Sequence, residues 1–583
     1  MHHILFLPEI TFNIFEFLNP FLSGPEGSHK PNPLRLRDLA AVAITCHALS
    51  GPALDVLWDT QMCFGRLLMC MPPSVVEIRD SDFEHLIQDP SPSDMLRMLP
   101  YARRIKRIGP PVADFRWLFP EHFLIPSKTI NWLLSAYPME KFLPHLTHMS
   151  CPELVEGTGD IMDISFAPLS RSNLTMFDFS VTFDDEVEGL PLLSILVNDL
   201  PQLRTIKLKV IGSAWHNIHT LYSGAIAPLC LFRNLEHLNL TIVGLVSEGP
   251  GLAGLHVFPC LQELKLSSDT NFAVDFLIAL KSNMLHTLDL IIMYSPSAGN
   301  QLERLDQHRL FSSLRRLTIS SDFYFMMSLI EAVHSNVLES LCLTLALTFG
   351  KRIVRSLTTL ILSKRGWESS LRTITMDRFG PNLGLDGLPG PSHLYSLSIE
   401  NLLVFSHLQR VILDDLAISL NDALCKKLAI GWPDLVEFYV RPQAVDSGAV
   451  GPDSLVTFAR HCPKLSFLQL GNLLNTTTEF PVLDDETLTA LSSRPTRSTC
   501  MRISVHADSS PTNPKAVAKF LAMVFPDREI KIILAASFCR KSLRKSSDVW
   551  NEVVEWLRRS QLSSLEFGPC YHTQLCTVCW VGR

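Results

Sequence analysis

Residues 234–240 read NLEHLNL, residues 260–266 CLQELKL and residues 464–470 KLSFLQL. In each, apolar residues stand at i, i+3 and i+5 with mainly polar residues between: Leu235/Leu238/Leu240, Leu261/Leu264/Leu266 and Leu465/Leu468/Leu470. Looser copies start at Leu146, Leu174, Leu203, Leu285, Leu314, Leu338, Leu371, Leu408 and Leu435; Leu371/Ile374/Met376 and Leu408/Val411/Leu413 keep the positions while changing the residue type. Leu146 to Leu465 is 319 residues in eleven intervals, a mean of about 29, with extremes of 24 (Leu261 to Leu285) and 37 (Leu371 to Leu408). One such match is cheap in a chain that is 47% apolar; a dozen at quasi-regular spacing are a repeat.

The i+3 and i+5 residues alternate onto one face of a short strand, and i+2 and i+4 point to the other. Helical patterns fill the gaps, as at Asn271–Lys281, Phe325–Val333 and Pro452–His461. A lone strand–helix unit cannot bury its apolar face, so neighbours must stack. The spacing therefore predicts an α/β solenoid with parallel strands on one side and helices outside. Weaker copies at Ile105/Ile108 and Met501/Ile503, with Glu529–Leu534 and Leu562–Phe567, extend it in both directions.

These residues resemble the L-x-x-L-x-L part of a leucine-rich repeat. The Asn or Cys that normally follows is mostly absent, and spacings are uneven. The resemblance implies an irregular leucine-rich-repeat solenoid, an imperfect horseshoe with its strands on the concave side and loops such as Gly380–Pro391 protruding.

A different pattern precedes the repeats. Pro8 and Glu9 open a helix, where both are favoured. Ile10, Ile14, Phe15, Phe17 and Leu18 recur at helical spacing until Asn19-Pro20. After a loop over Pro20–Pro33, Leu39, Val42, Ala43 and Cys46 mark a second helix, with Asp38 as its expected cap, and Pro52 is expected to start a third through Leu54, Leu57 and Trp58. Three short helices make a small core, so their surplus apolar surface needs a partner.

The segment resembles an F-box on Leu7-Pro8, Ile10, Ile14-Phe15, Leu18, Asp38-Leu39, Val42, Cys46 and Leu57-Trp58. It departs from the pattern in its long first loop and in Leu49, where the family commonly has Trp. The resemblance implies that Leu7, Pro8, Ile10, Ile14, Phe15, Leu18, Leu39, Val42, Cys46, Leu57 and Trp58 bind a Skp-type adaptor. Through it the chain would join a cullin–RING ubiquitin ligase, while the repeats hold a protein substrate. Such a chain is not itself an enzyme. The alternative is a repeat scaffold outside the ubiquitin system, whose N-terminal helices cap the solenoid. The expected organisation is a helical domain over 1–62, connecting and degenerate repeats over 63–143, the solenoid over 144–570 and a tail over 571–583.

Other chemistry dissolves on inspection. Net charge is −7, from 51 Lys+Arg against 58 Asp+Glu, unlike the basic footprint of a nucleic-acid binder. No run of about 18 uncharged apolar residues suggests a membrane span. The apolar N-terminus has no basic n-region and no small-residue cleavage site, so it does not read as a signal peptide. The 14 scattered cysteines read as reduced thiols of a cytoplasmic or nuclear protein. Gly249-Pro-Gly251-Leu-Ala-Gly254 matches G-x-G-x-x-G, but the next strand at Leu261 leaves no room for the helix that would hold a pyrophosphate. Cys570, His572, Cys576 and Cys579 are ligand types for zinc, yet only three residues separate His572 from Cys576. No cofactor or metal is expected. The basic run Arg103, Arg104, Lys106 and Arg107 reads as a solvated strand or turn.

A substrate would meet the i+2 and i+4 side chains. Most alternate in sign, but the late repeats differ: Ile412, Tyr439 and Phe467 stand beside Arg410, Glu437 and Gln469. Aromatic and Arg residues concentrate at binding hot spots. These six are the candidate substrate-binding residues, the alternative being ordinary solvated surface.

Overall fold

The structure is a computed structural model. It describes residues 8–19, 33–45, 47–79, 83–88, 90–109, 132–133, 135, 137–154, 167–183, 191–212, 227–243, 258–280, 284–293, 299–306, 308–346, 351–379, 399–414, 420–440, 450–470, 480–493, 500–506, 511–526, 528–535, 540–560 and 563–566. Leu7, Cys46, the glycine loop Gly249–Gly254, the loop Gly380–Pro391 and the Cys570–Cys579 tail lie outside these residues. The chain forms two compact units, Met1–Ser282 and Asn283–Arg583.

The first unit opens with α1 (Pro8–Phe17), α2 (Pro33–Thr45) and α3 (His47–Asp59). Asp38 is not a cap: α2 starts five residues earlier at Pro33, whose fixed φ suits a first helical position, and Asp38 is exposed in mid-helix. Nor does Pro52 start α3, which already runs from His47 and carries Pro52 inside. Phe15, Leu39, Ala53 and Val56 form a small buried core, with Leu18, Val42, Ala43, Leu49 and Leu57 packed around it.

The helical segment feeds straight into the sheet. β1 (Thr60–Gln61) follows α3 and pairs in parallel with β4 (Arg107–Ile108). Between them lie the antiparallel hairpin β2 (Val76–Arg79)/β3 (Phe83–Leu86) and the helix Pro92–Ala102. A Ser91/Asp94 capping box starts that helix. The basic run is an anchor as well as a turn. Arg104 Nη1 donates to the Gly51 carbonyl at 2.9 Å and pairs with Asp55, while Lys106 Nζ lies 2.8 Å from the Asp59 carboxylate. Trp58 packs on Tyr101 with ring centroids 4.8 Å apart.

From β4 the sheet grows one repeat at a time, all in parallel: β5 (His148–Leu154), β6 (Met176–Phe183), β7 (Thr205–Gly212), β8 (His237–Val243) and β9 (Glu263–Asp269). The second unit repeats the scheme with β10 (Thr287–Met293), β11 (Arg316–Ser321), β12 (Ser340–Ala346), β13 (Thr373–Phe379), β14 (Arg410–Leu413), β15 (Glu437–Val440), β16 (Phe467–Leu470), β17 (Cys500–His506), β18 (Glu529–Ala535) and β19 (Ser563–Glu566). Each pairs with the next. The register is that of the motif: Arg410, Glu437 and Phe467, each two residues past a repeat leucine, face one another across β14, β15 and β16. Parallel strands need a crossover, and helices supply it at Thr270–Ala279, Phe323–Ala332, Asp422–Gly431 and Pro452–His461.

Every one of the twelve repeat leucines is fully buried, as are the i+3 residues from Met149 to Leu468. Burying each such aliphatic side chain stabilises the fold by about 1.5–3 kcal/mol. Backbone groups are satisfied repeat by repeat. The carbonyl at i+1 accepts two N–H groups from the next repeat, as Arg204 does from Glu236 (2.8 Å) and His237 (2.9 Å), and Gln409 does from Val436 and Glu437. Phe232, Phe258, Phe311, Phe405 and Trp432 stand three residues before their repeat leucine, all buried, and their carbonyls accept its N–H at 3.1–3.4 Å. Asp269 and Asp322 cap the helices after β9 and β11, each accepting two N–H groups on one carboxylate oxygen.

The residue before the leucine forms a second ladder. Asn173 Nδ2 donates to the Pro144 carbonyl at 3.0 Å, and Asn234 Nδ2 to the Pro201 carbonyl at 3.5 Å. Between them Gln202, one methylene longer, leaves its buried Nε2 without a hydrogen-bond partner among the described residues. A buried donor left unmade costs about 1–3 kcal/mol. Gln202→Asn is therefore expected to raise the unfolding free energy of the first unit by about 1 kcal/mol. Denaturant melts would show an unchanged or lower midpoint if this account of the ladder were wrong.

Candidate functional site

The N-terminal helices leave an apolar groove. Phe15 points inward and is 4% exposed, whereas Ile14, one residue and about 100° round the helix, is 44% exposed and Phe17 73% exposed. Ile10, Asn13, Ile14, Phe17 and Leu18 line a shallow groove of about 420 Å³ whose surface is mostly apolar. The Arg35 guanidinium lies 5.7 Å above the Phe17 ring and its Nη1 donates to the Asn19 carbonyl, which ties the start of α2 to the end of α1. Leu34 and Ile44 on α2 are also exposed, Ile44 at 88%.

The residues singled out from the sequence thus divide. Ile10, Ile14 and Leu18 come together at the groove. Phe15 and Leu39 do not join it: they are the core that holds the helices together, and no partner can touch them without unfolding it. Val42 and Leu57 pack beside that core, and Trp58 is half-buried with Tyr101 as its neighbour. Pro8 is the first residue of α1. The reading missed Phe17, Leu34 and Ile44. Phe17 lies at i+3 from Ile14, so helical spacing already placed it on the same face.

The late repeats also correct the expectation. Glu437, Tyr439, Phe467 and Gln469 are all buried, Phe467 completely, so they do not offer an open surface. Tyr439 stacks on Phe467 with centroids 6.2 Å apart and planes 17° apart, and Arg502 from the next strand lies 5.3 Å above the Phe467 ring. The Tyr439 hydroxyl donates to Asp414 Oδ1 at 3.3 Å, and Arg410 Nε lies 2.6 Å from Glu437 Oε2. Arg410 and Ile412 remain partly open, Arg410 the more so. This is a cross-strand lattice of aromatic and charged pairs that locks β14 to β17 together.

Burial, with Asp289 and Asp377 nearby, pushes the Cys342 thiol up to about 12, and burial pushes Cys230 and Cys425 to about 11. These thiols stay protonated at neutral pH and are poor nucleophiles. Burial, reinforced by Lys207 and Arg107, lowers His148 to about 4, so this imidazole is neutral on its strand. Among the described residues no three His, Cys, Asp or Glu side chains gather as a metal site, and no helix is long and apolar enough to cross a membrane.

Comparison with known proteins finds no matching family model and no curated relative. Among solved structures, the chain aligns with a plant peptide hormone receptor, RGFR1, in complex with RGF2, at 10% identity and a TM-score of 0.23. The alignment covers 68% of this chain and 65% of the receptor, just under two thirds of its length.

Proposed function

We propose that the chain is an F-box protein with leucine-rich repeats. On this reading it is the substrate-recognition adaptor of a cullin–RING ubiquitin ligase. The observation that carries the reading is the open apolar groove of Ile10, Ile14, Phe17 and Leu18 on a helical segment whose own core is already closed. Exposed apolar side chains clustered on one helix mark a docking surface. The F-box-like residue pattern supplies the class of partner, a Skp-type adaptor. The repeats that follow supply a long sheet on which a protein substrate can be held. The chain would carry no catalysis of its own; it would bring a substrate close to the transfer enzymes.

A second reading has its own support. β1 joins the repeat sheet immediately after α3, and Arg104 and Lys106 fasten α3 to the first repeat. A solenoid cap needs those contacts, and on that reading the chain is a protein-interaction scaffold outside the ubiquitin system.

Co-purification of the full chain with a Skp-type adaptor separates the two. The adaptor reading requires a stoichiometric complex with the native chain and its loss in Ile14→Asp. A folded native chain that leaves the adaptor in the flow-through would leave the scaffold.

A further inference from the structure

Ser91 stands between Pro90 and Pro92, immediately ahead of the helix Pro92–Ala102. The sequence holds three Ser-Pro pairs and no Thr-Pro pair; Ser295 and Ser510 of the other two lie outside the described residues. Ser91, Pro92 and Ser93 are all exposed, and the backbone at Ser91 is extended, with φ −73° and ψ 160°. A protein kinase reads its substrate as extended chain. A proline-directed kinase selects the proline after the serine because proline brings no N–H that the enzyme must satisfy.

The helix yields at this point without uncovering a core. The first side chain it buries is Met95, so opening the turn Pro92–Asp94 exposes nothing apolar that was closed. What opening loses is the capping box. The Ser91 hydroxyl accepts from the Asp94 N–H at 3.3 Å and donates to Asp94 Oδ2 at 2.6 Å, and the Ser91 N–H donates to the same oxygen at 2.9 Å. These bonds from Ser91 hold the Asp94 carboxyl below its ordinary range, so it is charged at neutral pH.

We propose that Ser91 is a phosphorylation site for a proline-directed protein kinase. The Ser91 oxygen attacks the γ-phosphorus of ATP and its proton passes to the catalytic aspartate of the kinase. The bond from the γ-phosphorus to the β,γ-bridging oxygen breaks, and ADP leaves. The product carries a charge of about −1.5 to −2 where a neutral hydroxyl faced a carboxylate. Two anions cannot share one cap: the phosphate takes the amides at the start of the helix, and Asp94 loses its place on Ser91. At the other end of the same helix Tyr101 packs on Trp58, and Arg104 just beyond it holds Gly51 and Asp55. The modified residue therefore sits on the element that joins the N-terminal helices to the first repeat, on either reading of the chain.

The test incubates the full chain with an activated mitogen-activated protein kinase and Mg-ATP, and locates phosphate by tandem mass spectrometry. A synthetic peptide of residues 86–97 serves as the kinase control. Near-stoichiometric phosphate is expected on Ser91 of the folded chain. The rate should fall at least tenfold in Pro92→Ala, which keeps both halves of the capping box, and rise severalfold in Asp94→Ala, which frees the hydroxyl. Asp94→Ala should also lower the unfolding midpoint of the unmodified chain but not that of the phosphorylated chain, a split that a purely structural carboxylate would not produce. No phosphate on Ser91 of the folded chain, whether or not the peptide is modified, would overturn the site, as would an unchanged rate in Pro92→Ala. Equal midpoint losses from Asp94→Ala in the two forms would overturn the exchange at the cap. None of these readouts involves the Skp-type adaptor, so they stand or fall apart from the ligase reading.

Discussion

Replacing Ile14 by aspartate is expected to lower affinity for a Skp-type adaptor at least a hundredfold and to leave the chain folded. Making the same change one residue later, at Phe15, is expected to unfold the helical segment. Ile14 sits at the groove, 44% exposed, where a substitution costs the fold only about 0.5 kcal/mol. A carboxylate set there must be desolvated against an apolar partner surface, and a hundredfold is about 2.7 kcal/mol. Phe15 belongs to a buried core of four residues, where an unpaired charge costs several kcal/mol and the small module has little to spare. Circular dichroism and adaptor titration of the two variants check this. Equal affinity in Ile14→Asp and the native chain would remove the groove from the interface.

The second large effect separates two buried tryptophans of the second unit. Trp367 Nε1 donates to the Ser335 carbonyl at 2.7 Å, whereas Trp432 Nε1, equally buried, has no hydrogen-bond partner among the described residues. Both replacements by phenylalanine remove similar volume. Trp367→Phe also strands a buried carbonyl and is expected to cost about 2–4 kcal/mol. Trp432→Phe removes an unmade donor, which offsets the cavity, so its net cost is expected to stay below about 1 kcal/mol. Far-UV urea unfolding compares the two, read as midpoint shifts because long repeat arrays need not unfold in one step. Matching shifts would contradict the hydrogen-bond assignment.

The repeat was legible because burial of its leucines is nearly independent of context. From Leu146 to Leu465, each residue that starts a motif is in the core, and the weak copies at Ile105/Ile108, Met501/Ile503 and Glu529–Leu534 are strands. The other strand face was not legible. Alternation says that Tyr439 and Phe467 point away from the leucine core, but not what they meet there. In β15 and β16, only four residues each, both faces are buried. Helix starts failed for a different reason: Asp38 and Pro52 are good starting residues, but so is Pro33, where α2 begins, and α3 already begins at His47, upstream of Pro52. The aromatic position three before the leucine was visible in Phe232, Phe258, Phe311, Phe405 and Trp432, and a search aligned on the leucines would have found it. At the N-terminus, helical periodicity gave the apolar residues of α1 but not which of them the core consumes. Phe15 and Ile14 are adjacent and equally apolar, and only packing tells them apart.

Hydrogen–deuterium exchange of the full chain, alone and with a Skp-type adaptor, would show whether the groove on α1 is the docking surface. Slowed exchange is expected in residues 8–17 and 33–45 on adding the adaptor, with the strands from β5 to β18 unchanged. Protection confined to the repeats, or no protection at saturating adaptor, would contradict it.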